Sequence, residues 1–390
     1  MSVNSRSSQE KAAETPFDRS GLGQASRIVV KVGSALLTRL GAGLEMAQIE
    51  MLCDQIAGLA RGQREVILVS SGAVAEGCAR LGWAQRPETV HELQAAAAVG
   101  QMGLAQAWES SLGRHALSTA MVMLTHEDLA DRQRYLNARA TLTQLISLGV
   151  IPVINENDTV ATEEIRFGDN DTLAAMVANL VEADLLIILT DVEGLMDGDP
   201  QTHVDVKRIS QAAAADTRLD GFVGASAGAL GRGGMVTKLR AARLAARSGA
   251  HTVIAHGRTD QVLPQIVEGR DVGTLLTAQE LPLTARKRWI AGHLRPRGTL
   301  KVDAGAARAL VEQGVSLLAV GLLAVEGEFR RGDVVRCEAP DGRTIAQGLS
   351  NYDSSETRRL IGVRSEDFAR HLEMVGEPEL VHRDNLAVLV

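Results

Sequence analysis

Residues 150–199 constrain the fold of this chain more than any other stretch. Two short runs of branched apolar residues, 150–154 and 184–189, each stop at polar side chains and are joined by a helical segment. The first stops at Asn155-Glu156-Asn157-Asp158, the second at Thr190-Asp191, with Gly194 in the turn beyond. Runs of this length and composition read as buried strands, and buried strands joined by a helix belong to a parallel sheet covered on both faces. In such a sheet ligands bind at the carboxyl ends of the strands, which is where the polar residues fall. Gly168-Asp169-Asn170-Asp171 precedes Leu173, Met176, Val177 and Leu180 at helical spacing, so a helix capped by Asn or Asp is predicted to start at the same acidic site. Clustered carboxylates repel one another unless a cation lies near. A metal, a substrate ammonium or lysines from elsewhere in the chain would meet that need. Turn and cap duty explains any one of Asp158, Asp169 and Asp171 about as well, but not the whole set after two consecutive buried strands.

The rest of the chain builds on this unit. Residues 27–32, RIVVKV, form a first strand that meets Gly33-Ser34 at once, a strand-to-helix turn whose backbone N–H groups can face an anion. Lys31 lies inside that strand, where a lysine is costly unless its ammonium reaches a partner. A helix at 45–60 leads to a strand at 65–70 and a second small-residue turn, Ser71-Gly72-Ala73. The helix at 89–112 is Ala-rich, and Gly100 and Gly103 give it a face suited to close packing. A strand at 117–124 and a helical stretch at 126–148 follow; Arg132, Arg134 and Arg139 read as the solvated face of the latter. The region 205–224 is less regular. The glycine-rich run 231–238, GRGGMVTK, opens a helix at 238–248 and suits a polyphosphate, although it is not G-x-x-x-x-G-K-[ST]. Strands at 252–255 and 273–276 and a helix at 261–268 complete an α/β, doubly wound, largely parallel sheet.

The pattern changes after Pro282. Short strands at 286–290, 298–302, 316–319, 329–336 and 344–349, with one helix at 304–313, predict a second, mainly β domain. The expected division is a leader at 1–26, a first domain at 27–281 and a second at 282–390. From Thr284 onward there are 16 Lys/Arg and 15 Asp/Glu, against 25 and 33 before it, so the acidic bias belongs to the first domain. An overall excess of 48 acidic over 41 basic residues argues against a dedicated nucleic-acid binder. Cys53, Cys78 and Cys337 are scattered, without zinc spacing, which fits a reducing cytoplasm. Residues 1–26 lack the apolar core of a signal peptide, and no run approaches a membrane span.

Taken together, VVKVGS (29–34), VSSGAV (69–74), NARATL (137–142), PVINENDTVA (152–161), GDND (168–171), LTDVEGL (189–195) and GRGGMVTK (231–238) resemble the amino-acid kinase family. RKRWI (286–290), SNYDSSETRRLIG (350–362) and VHRDNL (381–386) resemble an appended PUA domain. NEND with GDND resembles the members that phosphorylate glutamate. The resemblance implies ATP with Mg²⁺, L-glutamate as acceptor, γ-glutamyl phosphate as product, feedback inhibition by L-proline and a homo-oligomer. It places Lys31, Thr190, Asp191 and the loop Arg232, Gly233, Gly234, Met235, Val236, Thr237 and Lys238 at the nucleotide, and Ser71, Asp158 and Asn170 at glutamate. Ser70 and Arg232 stand where Thr is common. In this setting Lys31 and Lys238 would neutralise the transferring phosphoryl group, Asp171 would hold their ammoniums, and Asp158 would receive the α-ammonium. Three rivals are a related kinase with another acceptor, an RNA-binding protein using its PUA domain, and a non-catalytic sensor of glutamate or proline. An acylated amine would not need Asp158, the second domain is neutral, and both lysines are present, which disfavours each in turn.

Overall fold

The structure, a computed structural model, describes residues 18–39, 42–160, 170–198, 205–223, 234–278, 296–373 and 376–389. Its larger sheet has eight strands: β1 (Arg27–Val32), β2 (Glu65–Val69), β3 (Thr119–Leu124), β4 (Ile151–Glu156), β5 (Leu185–Thr190), β6 (Gln211–Ala213), β7 (His251–His256) and β8 (Thr274–Thr277). They lie in the order β3-β4-β2-β1-β5-β7-β8-β6. Every neighbouring pair is parallel except β7 with β8. Strand order reverses direction between β1 and β5, so the carboxyl ends of these two strands border the crevice where α/β sheets bind ligands.

Side-chain alternation sorts the helices into two layers. Ile28, Val30 and Val32 of β1 and Leu185, Ile187 and Leu189 of β5 pack against α1 (Met46–Arg61), α3 (Val90–Gly113) and α8 (Val262–Val267). Val29, Leu186 and Ile188 point the other way, onto α5 (Arg132–Ser147), α6 (Asp171–Leu180) and α7 (Met235–Ala246). Lys31 shares the face of Val29 and is therefore directed at the α6 and α7 layer. Between β2 and α3 runs α2 (Ala73–Arg80), so tightly seated that a Cβ on Gly77 would lie 1.7 Å from the Ala96 carbonyl oxygen and one on Gly100 1.9 Å from that of Ala73. The close packing predicted from Gly100 is thus made against α2.

Several expected boundaries move. The first organising strand runs on through Asn155 and Glu156, so these side chains belong to the pleat and not to the loop after it. The stretch at 126–148 is two helices, α4 (His126–Ala130) and α5, because Asp131 leaves the helix and caps the second one. A short strand, β6, lies in the region read as irregular and extends the sheet beyond β8.

The second domain is a five-stranded sheet in the order β10-β9-β11-β12-β13, from β9 (Gly298–Val302), β10 (Leu322–Gly327), β11 (Val334–Glu338), β12 (Thr344–Leu349) and β13 (Leu386–Val388). Residues 316–319 are not a strand: only Leu317 bridges, to Val381, and Ala319–Gly321 form a 3-10 turn. The strand expected at 329–336 begins only at Val334. The helix foreseen at 304–313 is helical to Arg308 and continues as a wider π turn over Ala309–Gln313. The strand at 286–290 and the division at 281/282 lie outside the described residues. The two domains meet where Leu136 of α5 packs on Val334 and Leu349. Among the described residues no helix is long and apolar enough to cross a membrane.

Candidate active site

Asp171 is the first residue of α6, and it is fully buried between two lysines. Its Oδ1 is 2.5 Å from the Lys31 ammonium and its Oδ2 is 3.0 Å from that of Lys238. All three side chains are at most 6% exposed. The backbone explains the meeting: β1 supplies Lys31 from the central strand, α6 begins at the crevice, and α7, capped by Gly234, brings Lys238 round one turn later. Thr237 adds a hydroxyl 3.0 Å from Asp171 Oδ2. Burial alone would push the Asp171 carboxyl up; the two ammoniums offset this and hold it well below the usual carboxylate range. The cluster keeps a net positive charge facing the strand ends.

Beside it lies a cavity of about 410 Å³ lined by Ser71, Asp158 and Asn170, together with Ser34, Arg86 and Asn155. Asn170 does not cap α6 with its side chain, contrary to the cap reading. Its amide donates instead to the Ser70 carbonyl at 2.6 Å and to Asn155 Oδ1 at 2.8 Å. Asn155 in turn donates to Gln101 Oε1 at 2.7 Å, and the Trp108 indole donates to Ser70 Oγ at 2.9 Å. This buried polar chain sets the wall of the cavity, and satisfied chains of this kind are rigid. Gln101 and Trp108 were not singled out from sequence, and Asn155 was read only as one of the polar residues ending β4. A Gln on the inward face of an otherwise Ala- and Gly-rich helix was the available signal. The alternation of β4 supplies the rest, since Asn155 shares the face of Ile151 and Val153, which look at α3.

Asp158 follows β4 and is in a different condition. Burial, reinforced by the neighbouring charge of Glu156 and only partly opposed by Arg86, pushes its carboxyl up to about 7. Glu156 itself is buried, with His126 Nδ1 3.2 Å away. Asp158 thus lines a cavity as an acid with no ion pair among the described residues.

Thr190 ends β5, beyond Leu189, whose carbonyl accepts from the Gly33 N–H at 3.2 Å, so it stands next to the first glycine turn. Its hydroxyl is 3.1 Å from Asp191 Oδ1, and Asp191 is exposed. Neither residue lines the cavity of Ser71, Asp158 and Asn170. Gly234, Met235, Val236 and Thr237 form the start of α7, while Arg232 and Gly233 lie outside the described residues, as does Asp169. Of the arginines read as a solvated face, Arg134 is exposed and pairs with Asp128, whereas Arg139 is largely buried, 2.7 Å from Glu182 and 3.2 Å from Asn385 Oδ1. That face of α5 is covered by the second domain. The side chain of Arg132 is outside what is described.

No group of three or more His, Cys, Asp and Glu able to hold a metal occurs among the described residues.

A buried lysine–carboxylate–lysine cluster at the crevice of a doubly wound sheet defines a phosphoryl-transfer enzyme of the amino acid kinase family, whose family model matches residues 26–256; the PUA domain matches 298–372. The glutamate 5-kinase of Pseudomonas syringae pv. tomato is 58% identical over 371 residues, spanning 95% of this chain and 100% of the relative. That of Pseudomonas savastanoi pv. phaseolicola is 59% identical over 365 residues, 94% of this chain and 99% of the relative, and that of Thioalkalivibrio sulfidiphilus 57% over 371, 95% and 99%. The chain belongs to the glutamate 5-kinases of the amino acid kinase family.

Proposed function

We infer that this protein transfers the γ-phosphoryl group of ATP to the γ-carboxylate of L-glutamate, giving γ-glutamyl phosphate and ADP, the first step of proline synthesis. The observation that carries the reading is a positively charged Lys31–Asp171–Lys238 cluster next to a cavity whose acid, Asp158, has no ion pair among the described residues. Glutamate supplies both missing charges. Its α-ammonium meets Asp158, and the γ-carboxylate is directed toward the lysines. Ser71 and Asn170 orient the substrate between them.

The acceptor needs no general base, because a carboxylate of ordinary pKa, about 4.3, is already ionised at neutral pH. A bond forms between a γ-carboxylate oxygen and the γ-phosphorus while the bridging P–O bond to ADP breaks, and ADP leaves with the electron pair. The barrier is repulsion between anions, so catalysis lies in positioning and neutralisation. Lys31 and Lys238 approach the phosphoryl oxygens from the two sides of Asp171, which fixes both ammoniums without titrating. Thr190, Asp191 and the start of α7, with the preceding residues Arg232 and Gly233, serve the nucleotide. Mg²⁺ bound to the phosphates would further screen their charge; no protein carboxylate is assigned to it. A cytoplasmic homo-oligomer subject to inhibition by L-proline, without nucleic-acid binding, completes the reading.

The test is ADP release with L-glutamate, N-acetylglutamate and L-aspartate, with the acyl phosphate trapped as a hydroxamate. Turnover and hydroxamate with glutamate alone are expected. Equal turnover with N-acetylglutamate removes the role of Asp158 and with it the glutamate reading.

A further inference from the structure

The buried polar chain behind the cavity has a direction, and the direction decides what the cavity can hold. A main-chain carbonyl only accepts, so the Asn170 atom 2.6 Å from the Ser70 carbonyl oxygen is Nδ2. The second proton of that amide goes to Asn155, 2.8 Å away, whose near atom is therefore the oxygen Oδ1. Asn155 Nδ2 then faces Gln101, which turns its Oε1 to accept at 2.7 Å. At the far end Gln101 Nε2 lies 3.4 Å from Met121 Sδ, which can only accept. Reversing any one amide sets donor against donor or acceptor against acceptor at the next. The chain has one consistent orientation, running from the Ser70 carbonyl to the Met121 sulfur.

Burial holds that orientation in place. Gln101 is 9% exposed, Asn155 1% and Asn170 6%, and an amide left unpaired at such positions is costly. Both Nδ2 protons of Asn170 are spent behind it. Its Oδ1 accepts from no described residue, is not closed off from solvent, and belongs to a side chain that lines the cavity together with Asp158. Asn170 therefore offers a ligand an acceptor and no donor. With Asp158 it presents two acceptor groups to a ligand that donates from a cationic nitrogen, and it has no proton left for a carboxylate.

We propose that Gln101, on α3 behind the cavity, is a positioning residue: through Asn155 it keeps the Asn170 carbonyl oxygen turned to the cavity, to accept from the substrate's α-ammonium beside Asp158. The substrate is the glutamate of the proposed function, on which this role rests. Without the Gln101 acceptor, Asn155 is free to turn its amide over and set Nδ2 against Nδ2 of Asn170. Asn170 then either gives up the Ser70 carbonyl or loses its fixed orientation, and the cavity no longer distinguishes an ammonium from its absence at that wall.

Calorimetric titration of the full-length protein with L-glutamate and with glutarate, which lacks the ammonium, tests this beside steady-state turnover. Gln101→Met keeps the bulk and removes the acceptor. It should weaken glutamate by about tenfold or more, the scale of one hydrogen bond to a charged group, while glutarate and ATP bind as before. In turnover the loss should fall on the KM for glutamate and leave kcat nearly unchanged. Gln101→Glu keeps an acceptor toward Asn155 and should return glutamate affinity to within a few-fold of the unaltered protein. A packing role alone would weaken glutamate and glutarate alike, and that result overturns the proposal. Unchanged glutamate affinity in Gln101→Met also overturns it, as does a Gln101→Glu variant as weak as Gln101→Met. If Gln101→Met does not fold, Gln101→Glu carries the test, since it must keep the preference for glutamate over glutarate. An unaltered protein that binds glutamate without turning it over removes the proposed function and leaves the affinity ratio to judge Gln101; one that does not bind glutamate overturns both.

Discussion

The two ends of the candidate site treat an aspartate in opposite ways, one fully buried and one half-buried. Asp171 has both oxygens matched inside the protein, by Lys31 and Lys238, and its charge is locked on. Asp158, thirteen positions earlier, has no such match among the described residues, and burial pushes its carboxyl up to about 7. In the proposed function the lysine end is pre-organised because the group it would serve changes charge distribution only during transfer. In the proposed function the aspartate end is left open for a partner that arrives with the substrate.

The largest effect that would break this contrast is at the closed end. Asp171→Asn leaves two buried ammoniums without their counter-ion, and we expect a loss of about 3–5 kcal/mol in stability, read by denaturant titration. Lys31→Ala and Lys238→Ala should each lower kcat by about 10²-fold or more while changing the KM for glutamate little. Near-normal turnover in either folded variant would remove the roles given to these lysines.

At the open end, Asp158→Ala should raise the KM for glutamate by about tenfold or more and leave ATP affinity intact. Glutarate, which has no ammonium, should distinguish the two proteins far less. A collapse of ATP affinity instead would move Asp158 to the nucleotide. The same residue carries a smaller, pH-dependent effect. With its folded value raised to about 7, the carboxylate that receives the ammonium forms as pH rises through that value, so the KM for glutamate should fall over the same interval. The stability of the unliganded protein has the sign of a raised acid: it declines from the ordinary carboxylate range up to about 7, because the unfolded chain gives up the proton first. Asp158→Asn should flatten both profiles, and a KM profile that keeps its slope in this variant would assign the titration elsewhere.

The smallest expected effect is removal of the second domain. A chain ending at Leu281 should retain glutamate turnover within a few-fold, since all residues given a chemical role precede it, while exposing Leu136 and Tyr135. A folded but inactive truncation would show that the second domain completes the site.

Much of this was legible in the primary structure, for identifiable reasons. Lys31 could be singled out because a lysine inside VVKV has to find an anion, and α6 could be placed because Leu173, Met176, Val177 and Leu180 repeat at helical spacing. What escaped notice depended on pairings distant in sequence. Gln101, Trp108 and Asn155 become a polar chain only when α3 crosses β4, and Arg139 looks solvated until Asn385 is brought 246 positions back to it. The strand direction of β8, the antiparallel member of a largely parallel sheet, was not legible for a similar reason. A short apolar strand reads the same in either direction, and register is decided by the partner.

The seating of α2 on α3 carries a consequence for how this protein can vary. Gly77 and Gly100 hold no substrate and move no proton, yet either one acquiring even a methyl group would drive it into a main-chain carbonyl oxygen. Because α2 starts at Gly72-Ala73, in the wall of the cavity lined by Ser71, Asp158 and Asn170, prying the helices apart displaces Ser71. Sequence drift at these two positions is therefore closed off as firmly as at the lysines, and a map of mutational tolerance would colour a purely architectural contact as though it were chemistry.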